Sequence, residues 1–247
     1  MRTLPVLFCL ATAMKSIPLF LSQTHACSYL DNQEAQSLFI HPSTPLTPNI
    51  YQSLLAQGFR RSGDEVYTPH CPRCTACVPT RLRVKEFIPN KTQQRCLKKN
   101  SETTAILKPA VFEQAHYEMY LRYQDTRHHE GSMAQATPED YLDFLSSSWC
   151  DTYFIEFSIH NELAGIAVID QVNTAWSAVY TFFEPKFSKY SLGVYAVLWQ
   201  INQLKHRNKE FLYLGFWIEA CKKMTYKSEY QPLQGLIENR WVEITNK

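Results

Sequence analysis

The clearest pattern in the chain is a series of three strand-like apolar runs in its second half. Short polar stretches around His160-Asn161 and Gln171-Asn173 separate three such runs, which are Tyr153–Phe157, Glu162–Asp170 and Ala175–Phe183. Short apolar runs bounded by turn signals are typical of buried β-strands, and short polar separators favour tight turns. The pattern therefore predicts an antiparallel three-stranded meander.

Helical patterns flank this meander on both sides. Apolar residues recur near helical spacing from Ala110 to Gln124, and Thr137-Pro138-Glu139-Asp140 supplies a cap, a first-turn proline and acids for a helix ending near Ser146. After the meander, a helix from Leu192 to Lys205 precedes a strand from Phe211 to Phe216. Helix, helix, meander, helix, strand is the order of an N-acetyltransferase-like mixed sheet, so the fold class is predicted as α+β.

The first half of the chain alternates shorter pieces. We predict a strand at Gln36–Ile40, a helix from Asn49 to Gln57 that Thr47 caps and Gly58 ends, a hairpin over Phe59–Tyr67 and a strand at Arg81–Phe87. Residues 89–108 are polar and rich in turn formers, which predicts a domain boundary. The predicted units are a tail or over-extended start at 1–13, an N-terminal α/β domain at 14–105 containing the cysteines, and a C-terminal domain at 106–247 containing the mixed sheet.

Composition narrows the class of protein. With 247 residues and 45% hydrophobic content, the chain is long enough to bury a real core. The apolar run near the N-terminus is interrupted by Lys15, and Met14 offers a second start, so we interpret the beginning as something other than a secretory signal. No segment has the roughly 20 apolar residues of a spanning helix. We expect a cytoplasmic protein.

The charge is concentrated in one segment. From Arg81 to Asn100 there are seven Lys or Arg residues and one acid, Glu86. A strip of this density favours a polyanionic partner, although such strips are often simply solvated faces.

Three cysteines immediately precede the basic strip. Cys71, Cys74 and Cys77 form two overlapping C-x-x-C spacings, and Cys27 lies upstream. Four thiolates are the ligand number of a tetrahedral soft-metal site, so Cys27, Cys71, Cys74 and Cys77 are candidate metal ligands. Redox-active or structural thiols are the alternatives, because the second C-x-x-C pair of a zinc ribbon is missing.

Several phrases, taken together and in order, resemble one enzyme family. In the first half these are Cys27-Ser28-Tyr29-Leu30, Gly58-Phe59-Arg60-Arg61-Ser62-Gly63, the run from Tyr67 to Pro79 and Arg95-Cys96-Leu97-Lys98-Lys99-Asn100. In the second half they are the run from Ala178 to Pro185, Ser191-Leu192-Gly193-Val194-Tyr195, Tyr213-Leu214-Gly215-Phe216-Trp217-Ile218 and the run from Cys221 to Lys227. From about residue 15 to 245 the chain resembles the arginyl-tRNA–protein transferase family, and within it the bacterial leucyl-tRNA–protein transferases.

The resemblance implies an activity and its partners. It implies transfer of leucine from leucyl-tRNA to proteins with N-terminal Asp or Glu, marking them for degradation by the N-degron pathway. Partners would be leucyl-tRNA and those proteins, with no membrane and no DNA. No cofactor is required for the transfer. In eukaryotic relatives the N-terminal cysteines have been linked to an iron–sulfur cluster, so zinc or an iron–sulfur cluster is the candidate occupant here.

The implied chemistry defines what a site must contain. An α-amine attacks an ester that is already activated, so the site must position both groups, stabilise an oxyanion and take one proton. An acidic acceptor requires a cation, and tRNA requires basic residues. The catalytic candidates are Asp170, Tyr180 and Tyr195. Asp170 ends a central strand and would act as a base or orient the amine, with a turn carboxylate as the alternative. Tyr180 and Tyr195 flank the expected donor site and would bind the ester, with core packing as the alternative. Substrate-binding candidates are Arg60, Arg61, Lys98, Lys99, Lys223 and Lys227.

Three other functions stay open from the residues alone. An arginyl-tRNA–protein transferase would use the same acceptors. A non-catalytic RNA-binding protein with a cysteine knuckle explains the segment from Cys71 to Lys99 but leaves the second half without a role. A coenzyme A acetyltransferase explains the second half, yet Ser188–Tyr195 has one glycine and no pyrophosphate loop.

Overall fold

The computed structural model describes residues 4–6, 16–128 and 135–244. The expectations for the first thirteen residues and for Met14 therefore fall, except at residues 4–6, outside the described residues. No helix of the described part is both long enough and apolar enough to cross a membrane.

Within the described residues the strands form three sheets. The helices are α1 Pro48–Ala56, α2 Lys91–Lys99, α3 Gln114–His128, α4 Pro138–Leu145 and α5 Leu192–His206. The strands of the first half are β1 Leu4–Val6, β2 Ile17–Leu21, β3 His25–Ala26, β4 Glu34–Ala35, β5 Ser37–Ile40, β6 Arg60–Ser62, β7 Glu65–Pro69, β8 Val78–Arg83 and β9 Thr104–Pro109. Those of the second half are β10 Asp151–Ile159, β11 Glu162–Gln171, β12 Ala175–Phe183, β13 Phe211–Trp217, β14 Leu233–Ile237 and β15 Arg240–Ile244.

The largest sheet has the order β15-β14-β8-β13-β12-β11-β10-β9. Its pairs are antiparallel except for β12 and β13, which are parallel and are connected through α5. A parallel pair needs such a crossover, because the chain must return to the same end of the sheet. The predicted α+β class with a mixed C-terminal sheet is confirmed.

The predicted meander is present as β10, β11 and β12. Its first turn places His160 and Asn161 at positive φ values of 52° and 62°. Two consecutive left-handed residues match the right-handed twist of a hairpin, and asparagine adopts this conformation readily. This local geometry explains why the polar dipeptide between two apolar runs ends β10 and starts β11.

Capping signals also located helices correctly. The Thr47 side chain accepts from the Ile50 amide at 3.3 Å, and Gly58, with a φ of 88°, lies just beyond α1. Thr137 and Asp140 form a capping box at the start of α4. These contacts satisfy amide groups that a helix leaves unpaired in its first turn.

The interpretation of residues 89–108 as turn-rich is wrong. That segment contains α2 and most of β9. The buried positions of α2 include Gln93 and Cys96, so its inward face carries few apolar residues. The strand predicted at Arg81–Phe87 lies slightly earlier, at Val78–Arg83, and α3 begins at Gln114 rather than at Ala110.

One strand connects the two halves of the chain. β8, from the N-terminal half, pairs with both β13 and β14 in the largest sheet. The five-stranded sheet, of order β1-β2-β5-β7-β6, contains the hairpin β6–β7 with Arg60 and Arg61. The boundary between residues 105 and 106 stays a prediction.

Candidate active site

The two parallel strands of the largest sheet separate in the middle of the molecule. β12 and β13 pair only over Ala175–Ser177 and Phe211–Tyr213, after which Gly215 of β13 continues its pairing with Thr80 of β8. The carbonyl of Ala178, the first residue of β12 beyond that pairing, accepts a hydrogen bond from Arg60 Nη2. Arg60 therefore occupies the opening where the two strands diverge.

Gly215 gives this opening its shape. Its φ is 80°, a conformation that other residues rarely adopt, and the β13–β8 register shifts next to it. A Cβ at this position would lie 3.6 Å from Lys227 Nζ and 3.7 Å from Arg60 Nη2. Two cationic groups thus approach one point on the backbone, from β6 and from the 3-10 helix Thr225–Glu229.

Neither cation has an acidic partner. Arg60 and Lys227 are each 9% exposed, and no described carboxylate lies within 4.0 Å of either. Lys227 Nζ donates to the Phe216 carbonyl, whereas Arg60 Nη1 is buried and has no hydrogen-bond partner among the described residues. Buried charges are normally paired, so this pair of groups is suited to bind an anion from outside.

Burial also changes the chemistry of the lysine. Desolvation, followed by the charge of Arg60, lowers the pKa of Lys227 to about 7. Arginine stays protonated in proteins, so of these two neighbours only the lysine can lose its charge near neutral pH.

Aromatic rings border the two cations. Tyr226 is 45% exposed, and its ring centroid lies 6.0 Å from Lys227 Nζ. Tyr67 of β7 packs against Phe216 with ring centroids 6.1 Å apart. An exposed ring beside a cationic site is a suitable stacking surface for a nucleobase.

Arg61, the neighbour of Arg60, lies on the opposite face of its strand and is already paired. Its side chain is fully buried and holds both oxygens of Asp170, at 2.6 and 2.8 Å. It also donates to the carbonyls of Gly63, Leu145 and Ser146. These contacts do not support the predicted roles of Arg61 as an acceptor-binding residue and Asp170 as a base. They favour a structural role that joins β6 to α4 and β11.

The two predicted catalytic tyrosines lie in different surroundings. Tyr180 of β12 is half-buried, and its hydroxyl accepts from Gln124 Nε2 at 3.2 Å. Tyr195 of α5 is 7% exposed and packs edge-on against Phe157 at 5.5 Å. Its contacts are those of a core residue, so the structure does not support a catalytic role for Tyr195.

The predicted tRNA-binding lysines lie on α2. This helix is capped by Asn90 and Gln93 and exposes Lys91, Arg95, Lys98 and Lys99, with no acid in its first turn. Lys99 Nζ donates to the Lys189 carbonyl at 2.8 Å. Two other residues of the basic strip are used internally, since Arg81 stacks on Phe211 and Arg83 pairs with Glu243. The positive surface is therefore α2. Lys223 is also exposed, in the turn before Lys227.

The four predicted metal-binding cysteines are half-buried and near one another. Burial, followed by the thiolate charges of Cys71, Cys27 and Cys74, raises the pKa of Cys77 to about 11. Among the described residues, however, no three of these sulfurs lie within 4.8 Å of one another. A tetrahedral site with bonds of about 2.3 Å needs closer sulfurs, so the donor set suits a soft metal but its spacing here does not.

A different group of side chains does meet that distance. Glu113, His116 and Glu156 place three donor atoms within 4.8 Å of one another. Lys108 Nζ already lies 3.0 Å from Glu113 and 2.6 Å from Glu156. The lysine supplies the positive charge there, which favours an ion-paired cluster over a metal site.

The sequence indicated Arg60 and Lys227 as candidates but did not predict that both side chains meet at Gly215. Gly215 interrupts an apolar strand, and a glycine inside a strand indicates a bulge or a close approach. That signal could have identified the opening. The carbonyl of Ala178 and the proximity of Cys221 to the cysteine group carry no comparable signal in the sequence.

Comparison with known proteins gives a consistent result across the chain. Residues 25–95 match the family model described as arginine-tRNA-protein transferase, N terminus, and residues 115–237 match the one for its C terminus. An aspartate/glutamate leucyltransferase from Alcanivorax borkumensis is 43% identical over 94% of this chain and 96% of its own length. One from Pseudomonas putida (strain GB-1) is 42% identical over 94% of this chain and 99% of its own length.

A solved structure gives a more distant match. The C-terminal domain of a putative lysylphosphatidylglycerol synthetase from Agrobacterium fabrum aligns with a TM-score of 0.43 at 11% identity, covering 70% of this chain and 53% of that one. The sequence matches are far stronger and span both halves of the chain. The protein is therefore an aminoacyltransferase that belongs to the arginine-tRNA-protein transferase family.

Proposed function

We propose that this protein transfers leucine from leucyl-tRNA to the α-amine of proteins whose first residue is Asp or Glu, which marks them for degradation. The observation that carries this proposal is the pair of buried cations at Gly215. Arg60 and Lys227 have no acidic partner among the described residues and are suited to receive one from the acceptor. The names of the relatives at 42–43% identity agree with acidic acceptors and leucine.

The chemistry needs little beyond positioning. The aminoacyl ester is already activated, and an α-amine with an ordinary pKa of about 7.7–8.0 is partly neutral at pH 7. Holding the amine and the carbonyl carbon together supplies much of the rate enhancement. An acceptor carboxylate bound by Arg60 would place the α-amine, only three bonds away in Asp, beside Lys227 and Tyr226.

The donor tRNA would bind along α2. Its exposed basic residues form a positive surface, and Lys99 connects this surface to the segment just before α5. An aminoacyl-tRNA donor is a cytoplasmic species, and we place the reaction in that compartment.

A transfer assay with three labelled donors tests the proposal. The purified protein is incubated with an Asp-initiated peptide and either leucyl-tRNA, arginyl-tRNA or acetyl-coenzyme A. We expect label to reach the peptide from leucyl-tRNA alone. Transfer from arginyl-tRNA would identify the arginyl branch, transfer from acetyl-coenzyme A an acetyltransferase, and tRNA binding without transfer an RNA-binding protein.

A further inference from the structure

Lys227 and Arg60 have different chemical capacities although they lie at the same point. A guanidinium cannot release its proton in a protein, whereas a buried amine can. In a site of low polarity, the positive charge of one group makes the charged form of the other less favourable. The lysine is therefore the group that loses its proton. We propose that Lys227 is the base of the transfer reaction, while Arg60 holds the carboxylate of the acceptor. This inference rests on the proposed function.

The hydrogen bonding of Lys227 suits a neutral amine. Nζ donates one hydrogen to the Phe216 carbonyl, which leaves a lone pair if the group is uncharged. The groups that act on it from the elements packed around it are Arg60 of β6, Cys221 of the preceding turn and Cys77 of the loop before β8. Neither thiol forms a hydrogen bond with Nζ among the described contacts.

The acceptor would place its own amine next to Lys227. In an N-terminal Asp, three bonds separate the carboxylate carbon from the α-nitrogen, and in Glu there are four. A carboxylate on Arg60 therefore brings the α-nitrogen to the point near Gly215 that Lys227 Nζ also approaches.

The step is balanced with the chain's own groups. The neutral α-nitrogen forms a bond to the ester carbonyl carbon, and Lys227 Nζ takes the proton that this nitrogen loses. The bond from the carbonyl carbon to the terminal ribose oxygen of the tRNA then breaks, and Nζ returns the proton to that oxygen. The products are an amide and a tRNA with a free hydroxyl group, and Lys227 is again neutral.

Two substitutions separate a base from a simple cation. Lys227→Arg keeps the positive charge but cannot accept a proton, and Lys227→Met removes both while filling the buried space. Rates are measured in single turnovers from pH 6 to pH 9 with saturating leucyl-tRNA and an Asp peptide. General-base catalysis contributes about 10²–10⁴-fold. We therefore expect both variants to lose at least about a hundredfold in rate. They should also lose the part of the rise in rate that titrates near pH 7 and keep only the part due to the acceptor amine.

Controls address folding and the titration of the substrate. Lys205→Met is the matched control, since Lys205 also donates to a backbone carbonyl beside an aromatic ring, that of Phe87, but lies on α5. It should retain the wild-type rate. The acceptor amine titrates identically in all proteins, so a difference between the pH profiles belongs to Lys227. Thermal unfolding monitors whether each variant is folded.

Specific outcomes would overturn the inference. If Lys227→Arg retains a rate within a few-fold of wild type, the residue serves only as a cation. If Lys227→Met raises KM for the peptide and leaves kcat intact, it only binds. A substrate-free NMR titration of Nζ gives an independent result: charge retained above about pH 9 excludes a neutral amine, whichever aminoacyl-tRNA is the donor. Wild-type transfer of leucine alongside any of these results leaves the proposed function standing and removes only the role of Lys227.

Discussion

At the scale of single residues, two adjacent arginines on β6 have opposite roles. Successive side chains of a strand point to opposite faces, so Arg60 reaches the opening at Gly215 and Arg61 reaches Asp170. Arg61 is fully satisfied by its neighbours, whereas Arg60 keeps an unpaired buried nitrogen. One arginine holds the fold together and the other is available to a substrate.

The pair of Arg61 and Asp170 predicts a large stability effect. Asp170→Asn should lower the free energy of unfolding by about 3–5 kcal/mol, because it leaves a buried guanidinium without its counter-charge. The measurement is urea denaturation. The double variant Arg61→Met/Asp170→Leu should lose less than the two single changes combined. If Asp170→Asn were instead as stable as wild type but inactive, Asp170 would be a catalytic group after all.

Lys227 predicts a dependence of stability on pH. Its pKa is about 7 in the folded protein against about 10.4 when unfolded, so between these values the unfolded chain binds more protons. Its contribution to the free energy of unfolding must then rise with pH in this window, by about 1.4 kcal/mol per unit. We expect the free energy of unfolding of Lys227→Met minus that of wild type to be constant below about pH 6. This difference should then fall at that rate between pH 7 and 9. A pH-independent difference would show that Lys227 stays charged.

Residue type alone was enough to select Arg60 and Lys227 as candidates from the sequence. It could not separate them from candidates whose side chains are already paired or packed. Asp170, Arg61 and Tyr195 have the same chemical types as active-site residues. Only the fold shows that Asp170 and Arg61 form a buried ion pair and that Tyr195 packs in the core. Strand alternation could have separated Arg60 from Arg61. It could not have shown which face holds a carboxylate from β11, more than a hundred positions away.

At the scale of elements, α2 shows how charge and structure combine. Its buried side is made by Gln93, Cys96 and Asn100, polar residues with hydrogen-bond partners such as the carbonyls of Glu229 and Tyr190. Because this side carries few apolar residues, the spacing of apolar residues alone does not indicate the helix. Its capping box and its basic last turn are signals that the sequence did contain.

The exposed face of α2 predicts a tRNA-binding phenotype. Lys98→Glu/Lys99→Glu should weaken leucyl-tRNA binding and reduce its salt dependence, because each lost phosphate contact removes about 0.7–0.9 from the slope of log K against log salt. The measurement is an equilibrium binding titration at several salt concentrations. Arg240→Glu, which changes an exposed charge on β15, is the control and should bind as wild type does. An unchanged affinity and slope in the double variant would exclude α2 from the tRNA site.

The cysteine segment gives a separate prediction at this scale. We expect anaerobically purified protein to contain zinc or iron bound by Cys27, Cys71, Cys74 and Cys77, which requires their sulfurs to move closer than they lie here. Elemental analysis measures the content, and Cys74→Ser should reduce it, whereas Cys150→Ser, a buried cysteine outside the group, should not. A metal-free wild-type protein that transfers leucine normally would identify these residues as free thiols.

At the scale of the whole molecule, the candidate site depends on elements from both halves of the chain. β6 contributes Arg60, β12 the carbonyl of Ala178, β13 Gly215 and the following 3-10 helix Lys227. The sequence predicted the meander, the crossover helix and the strand after it, because each is a distinct apolar run bounded by polar turn formers. It did not predict that β8 enters the largest sheet, since pairing between distant strands leaves no local pattern.

The central claim is that Arg60, beside Lys227, selects acidic acceptors for aminoacyl transfer. The most direct test compares leucine transfer to two peptides that differ only in an N-terminal Asp or Asn, using wild type, Arg60→Gln and the exposed control Arg73→Gln. Leaving a buried cation unpaired costs on the order of 1–3 kcal/mol, so wild type and the control should prefer Asp at least about tenfold. Arg60→Gln should lose that preference by reacting slowly with both peptides. Equal rates for the two peptides in wild type, or a full Asp preference retained in Arg60→Gln, would contradict the account.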